Sequence, residues 1–384
     1  NYEKIKNLQN PNKDENYFLK NQIVPSFTIL GSFGNYRTLF SYLYNRINIQ
    51  KIGIRPKIFI KTYDKITNQF LFNFFKPFLN FKRNSFLYYK NFNNSYYHKT
   101  PIEISLPYKN KYYPWAVSEN LINQHRLTCK KTKFDFFKLN KKHLDAGRNI
   151  LKRFNLSKYK WHVAIHMRES KGLDDQSYRD VNPRNYLKGI HEIISRGGLV
   201  FRVGHKNVTP LPKIEGLVDY PFSEFKSEFM DIFLASTSKF VIGTSSGFWT
   251  AASFFNTPLL MTNYLPFLDY YAFNQKSIFL PKTVVNKKKN IISMHDSYSL
   301  SKFGFAVTSS QFKIKKKMVL ENSEDEILKA VKEMVSLLSK KNKEKNKFIN
   351  LNKSFKNKFF KEKYFDNYKL IPLANFSSSY INKY

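Results

Sequence analysis

The chain has 384 residues, enough for two domains at ~150 residues each, and its 42% hydrophobic content excludes an intrinsically disordered chain. A single cysteine, Cys129, excludes a disulfide framework and a thiolate-built metal site, and no apolar run reaches the ~18 residues of a membrane-spanning helix. Lys and Arg number 65 against 28 Asp and Glu, a formal charge of +37, which attracts polyanions such as nucleic acid, anionic lipid or phosphorylated substrates.

In chain order, residues 1–22 are polar and read as an arm. The sequence begins on Asn1 without the basic-then-apolar layout of a signal peptide. "IVPSFTILGSFGNYRTLFSYLYNRI" then predicts a strand over 23–30, a turn at Gly31 and Gly34, and a helix carrying Leu39, Leu43 and Ile47 on one face. "RPKIFIKTYD" predicts a second strand. From 65 to 135 the text is aromatic and basic, with no periodicity that orders it. "NKKHLDAGRNILKRFNLS" predicts a helix running to a domain boundary near residue 155.

The second half alternates regularly. "KWHVAIHMR" is a strand, and "NPRNYLKGIHEIISRGG" is a helix stopped by Gly197 and Gly198. "LVFRVG" and "EGLVDYP" predict strands and "SEFMDIFLASTS" a helix. "KFVIGTSSG" runs from strand to loop, "FWTAASFFN" is a helix ending before Pro258, and "PLLMTN" is again a strand. "SEDEILKAVKEMVSLLSKK" is an amphipathic helix with Ser323 and Glu326 spaced as a capping box. Alternating strands and helices imply parallel sheets built from βαβ units. The expected fold is therefore α/β with two Rossmann-like domains: an arm at 1–22, domains at 23–154 and 155–338, and a basic tail at 339–384.

Ligands of open parallel sheets bind beyond the carboxyl ends of the strands. That rule selects four places: His166, Arg168 and Glu169 after the strand at 161; Gly204 and His205 after the strand at 199; Asp219 and Tyr220; and Thr244, Ser245, Ser246 and Gly247 before a helix. A loop of small residues opening a helix offers backbone amides and hydroxyls to an anion, although ordinary capping uses the same residues. A guanidinium at a neighbouring strand end binds phosphate oxygens in a fork. The alternative for Arg168 is a surface ion pair with Glu169 or Asp174. No Asp-x-Asp triplet, no G-x-x-x-x-G-K-[ST] loop and no G-x-G-x-x-G occurs, which weakens metal-chelating nucleotide-sugar, NTPase and dinucleotide readings.

The segments "HMRES", "VNPRNYLKGIHEIISRGGLVFRVGHKNVTPLP", "GLVDYPFSEFKSEFMDIFLASTSKFVIGTSSGFWTAASFFNTPLLMTN" and "SIFLPK" together resemble a family of bacterial glycosyltransferases. The family is encoded beside cell-surface polysaccharide genes and is distantly similar to fucosyltransferase-like enzymes. The likeness covers residues 160–285, extends loosely to "NFSSSYI" near the end, and hardly touches the first 150 residues. It implies a GT-B architecture, two Rossmann-like domains with parallel sheets facing across a cleft, with the second domain holding the donor. In that reading Arg168 neutralises the donor's β-phosphate with His166 as its companion. Thr244, Ser245, Ser246 and Gly247 meet the diphosphate, and Arg202, Gly204, His205 and Asp219 lie where base and ribose are read. Glu169, Asp174 and Asp175 are the candidate bases.

The expected activity is metal-independent transfer from a nucleoside-diphosphate sugar, a GDP-sugar being slightly favoured, to a cell-surface glycan or lipid-linked acceptor such as that of lipopolysaccharide or capsule. No metal or cofactor is expected. The expected location is cytoplasmic, with peripheral contact at the anionic inner face of the membrane. Two alternatives compete: a basic nucleic-acid-binding protein, and a transferase-like sugar-binding protein without turnover. The first draws on the +37 charge, yet lysines are spread along the whole chain and no DNA- or RNA-binding signature occurs. A composition rich in Lys, Asn, Phe, Ile and Tyr also follows from A- and T-rich codons.

Overall fold

A computed structural model of the chain describes residues 22–23, 30–53, 55–93, 105–108, 111–129, 137–170, 176–265, 273–293, 296–297, 316–340, 343–359 and 373–384. Two compact units divide after Phe137. The division precedes the helix expected to end the first domain, so that helix belongs to the second unit. Most of the expected arm and of the strand at 23–30, together with tail residues 360–371, lie outside the described residues.

The first unit carries β1 (Gln22–Ile23), α1 (Phe33–Tyr44), β2 (Lys57–Ile60), α2 (Gln69–Phe75) and β3 (Asn80–Arg83). The three strands form one parallel sheet in that order. Ile58 and Ile60 on β2 are buried, as are Leu39 and Leu43 on α1 and Leu71 and Phe72 on α2. Ser32 caps α1, its hydroxyl accepting from the Asn35 amide. α3 (Ser85–Asn93), a hairpin of β4 (Ser105–Tyr108) and β5 (Lys111–Pro114), and α4 (Trp115–Thr128) occupy the stretch that has no readable period. α4 is tied to α1 by Glu119, which is buried and accepts from Arg37 Nε at 2.8 Å and Thr38 Oγ1 at 3.0 Å.

The second unit holds α5 (Lys141–Arg153), β6 (Trp161–His166), α6 (Leu187–Ser195), β7 (Gly198–Val203), β8 (Leu217–Asp219), α7 (Glu228–Thr237), β9 (Val241–Gly243), α8 (Phe248–Phe254) and β10 (Leu259–Tyr264). β11 (Ile278–Pro281), β12 (Thr283–Asn286), β13 (Lys317–Leu320), α9 (Glu324–Leu338), α10 (Lys343–Phe359), β14 (Asn375–Phe376) and α11 (Ser378–Ile381) complete it. Seven strands form one parallel sheet in the order β14-β11-β10-β9-β6-β7-β8. All six residues of β7 and all six of β10 are buried, as a parallel sheet covered on both faces requires. α6 and α9 cover the sheet through Ile190, Ile193, Ile327, Val331 and Met334. The expected capping box is present, Ser323 and Glu326 each bonding the other's backbone amide. Gly197, at φ +79, supplies the left-handed turn that ends α6 and releases the chain into β7.

Counted from β6, the strand order reads 3-2-1-4-5-6-7, which contains the 3-2-1-4-5-6 order of doubly wound dinucleotide-binding sheets. From β6 the chain winds outward through β7 to β8, then crosses back and winds the other way from β9. The connections after β6 and β9 therefore wind in opposite directions across the sheet, and the carboxyl ends of strands at such a switch point are where open α/β sheets bind ligands.

On the helical layer, α5 meets α7 at Gly147, where a Cβ would fall within the ring of the buried Phe233. Gly147→Ala is expected to lower unfolding free energy by ~1–3 kcal/mol, read as a lower urea midpoint at unchanged slope.

Candidate functional site

The β6 and β9 loops meet side by side. The Arg168 amide donates to Thr244 Oγ1 at 3.2 Å, and Ser246 Oγ lies 3.4 Å from His166 Nε2. The His166 ring stacks on Phe248 at the start of α8. Burial pushes the His166 pKa down to about 3, with His205, Arg202 and Arg168 adding like charge. The imidazole is therefore neutral at physiological pH and acts as a hydrogen-bonding group, not as a cation. Its Nδ1 is buried and has no hydrogen-bond partner among the described residues.

Arg168 is held by the segment that follows it. Its guanidinium donates to the Gln176 carbonyl at 3.2 Å and pairs with the Asp180 carboxylate. Ser170 bonds the second oxygen of Asp180, and the Val181 amide bonds the Arg168 carbonyl. The Arg168 side chain is 13% exposed and that of Asp180 24%. Among the described residues Arg168 pairs with Asp180, whereas Glu169 pairs with Arg202. Asp174 and Asp175 lie outside the described residues. Arg179 in the same segment reaches across to the other loop, Nε donating to the Ser245 carbonyl at 2.7 Å. The Arg179 guanidinium and the Arg168 backbone amide thus stitch the β6 loop to the β9 loop.

The hydroxyls of the β9 loop are only partly available. Thr244 and Ser245 are buried. Ser245 Oγ donates to the Leu265 carbonyl at 2.6 Å and accepts from the Leu265 amide at 2.7 Å, so it anchors the chain after β10. Ser246 and Gly247 are the members of the turn that reach the surface. α8 has seven residues and no side-chain cap, so its terminus contributes little dipole. The expected four-residue cradle therefore narrows to Ser246 and Gly247 beside Arg168.

Three residues expected to touch substrate are engaged elsewhere. Arg202 is completely buried, with NH2 2.8 Å from Glu169 Oε1 and NH1 2.8 Å from Asp219 Oδ1. It also donates to the Thr209 carbonyl, while Glu169 takes the Thr209 amide and Asp219 the Leu211 amide. This network fastens the loop after β7 to the strand ends, and leaves Arg202 Nε buried without a partner among the described residues. Glu169 and Asp219, expected as base and as ribose reader, are thus both paired with Arg202. Gly204, at φ +153, lets the chain leave β7 in a conformation that side chains disfavour. His205 beyond it is exposed and its charge reaches His166.

Sequence reasoning missed Lys282, the residue after β11. It is 3% exposed, and its Nζ donates to the Asp180 carbonyl at 2.6 Å. Burial lowers its pKa to about 8, opposed by Glu321 and Asp180 and assisted by Arg168. Its neighbourhood is fixed by Asn322, which exchanges backbone-to-side-chain bonds with Asn263 at 2.5 and 2.6 Å and donates to the Pro281 carbonyl at 2.9 Å. Among the described residues no helix is long and apolar enough to cross a membrane. No family model, curated protein or solved structure matches the chain.

Proposed function

We propose that the chain is a glycosyltransferase of GT-B type that takes a nucleoside-diphosphate sugar, without a metal, and passes the sugar to a cell-surface glycan or lipid-linked acceptor. The observation that carries this reading is the convergence of Arg168 and the Ser246–Gly247 turn on the switch point of a doubly wound parallel sheet. Cleaving the glycosidic bond leaves negative charge on the departing diphosphate. A guanidinium held in place by Asp180 and Gln176 meets that charge with little reorganisation. Ser246, which lies beside neutral His166, would donate its hydroxyl to the same oxygens. The 161–282 segment is the donor side, and the first unit takes the acceptor. A GDP-sugar is slightly favoured, in line with the fucosyltransferase-like resemblance. The basic surface would hold the enzyme at an anionic membrane face.

A thermal-shift panel of GDP, UDP, CDP and their sugars tests this directly. One nucleoside diphosphate at tenfold its dissociation constant is expected to add ~1.4 kcal/mol, a rise of roughly 3–6 °C. Incubation with the matching sugar donor is then expected to release the free nucleotide. Stabilisation by a nucleotide with no release favours the sugar-binding alternative, and no stabilisation by any of them removes both.

A further inference from the structure

Lys282 is an unusual cation in this fold. It belongs to the end of β11, three strands from β6, yet its side chain reaches back to the loop that holds Arg168. An ammonium has three N–H donors. Among the described residues Nζ uses one of them, on the Asp180 carbonyl. Two donors of a residue that is 3% exposed are left without partners. No carboxylate lies within ion-pair distance of it among the described residues, although Asp180 and Glu321 face it along with Arg168. Glu321 is exposed, and one of its oxygens takes the Asn182 amide.

Burying a charge with unfilled donors costs several kcal/mol unless something repeatedly compensates it. A purely mechanical staple for the 176–182 segment needs only one neutral donor. The excess is an unmet positive charge, and it sits beside Arg168 on the same residue, Asp180.

We propose that Lys282 is the second cation of the Arg168 site, and that the two together select a diphosphate over a single phosphate. The proposal rests on the nucleotide-sugar reading for the identity of the natural ligand, but not for the anion site itself. Arg168 supplies a planar fork for one phosphoryl group, and Lys282 a point charge for its neighbour. The sign of the pH effect follows. The unliganded ammonium loses its proton as pH rises through about 8, so hold on the anion weakens there. Inorganic pyrophosphate gains charge over the same range, which acts in the opposite direction. Arginine at 282 cannot lose its proton in this range.

The test uses the full chain and titrates inorganic pyrophosphate and inorganic phosphate by calorimetry at about pH 7 and about pH 9.5, either side of the Lys282 transition. The unaltered protein is expected to bind pyrophosphate at least tenfold more tightly than phosphate at the lower pH, and to lose most of that preference at the higher. Lys282→Met is expected to bind both equally weakly, and Lys282→Arg to keep the preference at both values. Equal pyrophosphate binding by Lys282→Met and the parent overturns the proposal, as does failure of the parent to bind pyrophosphate. If Lys282→Met does not fold, the pH profile of Lys282→Arg decides: a profile that still falls like the parent's overturns it. The nucleotide panel separates the two readings. Pyrophosphate binding without any nucleotide binding supports the anion pair and removes sugar transfer, whereas nucleotide binding that Lys282→Met leaves intact does the reverse.

Discussion

Arg168→Ala is expected to reduce sugar transfer about a hundredfold, the equivalent of ~3 kcal/mol of barrier, while the protein still folds. The loss should fall on turnover more than on donor binding, because the guanidinium meets charge that is completed only as the bond breaks. Asp180, its partner, is 24% exposed and can return to water, so removal of Arg168 does not strand a buried carboxylate. Arg168→Lys should recover part of the rate, since a point charge replaces the fork. Initial rates of nucleotide release, read beside thermal unfolding of the same samples, check both halves. Activity near the parent level in Arg168→Ala would remove Arg168 from the mechanism.

Arg202→Met is expected to behave in the opposite way, as a loss of stability of ~3–5 kcal/mol. The side chain is completely buried between Glu169 and Asp219. Removing it leaves two carboxylates facing each other, with only the Thr209 and Leu211 amides to satisfy them. Chemical denaturation of the variant measures this, and replacing Glu169 and Asp219 by their amides in the same chain should restore part of the loss. A change under about 1 kcal/mol would mean that the network is not structural, and would return Arg202 to the binding residues. The contrast between these two arginines is instructive. Arg168 stands two residues past the end of β6 and Arg202 is the last residue but one of β7, and their surroundings differ: Arg168 is paired with Asp180 and partly exposed, whereas Arg202 is sealed beneath a loop.

That contrast also marks what could be read without coordinates. The strand of "WHVAIH", the glycine stop after the helix at 187, and the capping box at Ser323 are local signals, and each stands where its residues put it. The segment "NPRNY" opens as a 3-10 turn and not as α-helix, since Pro183 and the Asn182 side chain cap a separate turn. The aromatic stretch from 65 to 135 hides its elements because its strands are four residues long and two of its helices, α2 and α3, carry aromatic residues on several faces. Pairings across the sheet are another matter. Glu169 meets Arg202 across 33 residues, and Lys282 meets Asp180 across 102. No periodicity encodes such distances, so nothing local in the sequence pointed Glu169 to Arg202 or Lys282 to Asp180. Partner choice among abundant charges is settled by topology, which the sequence carries only as a whole.

The seventh strand gives the second unit a long-range closure. β11 ends at Pro281, while β14, which pairs beside it, begins at Asn375. The serines after β14 then lodge against Glu333 on α9, and Asn352 on α10 exchanges bonds with Phe376. Such a contact spans a large loop whose ordering entropy must be met before the contact rewards it. The β11–β14 pairing therefore closes the longest loop of any strand pair in this sheet. Without β14 the backbone groups on that side of β11 would be unpaired and open to any stray β-segment, so the far end of the chain is what shields this rim of the sheet.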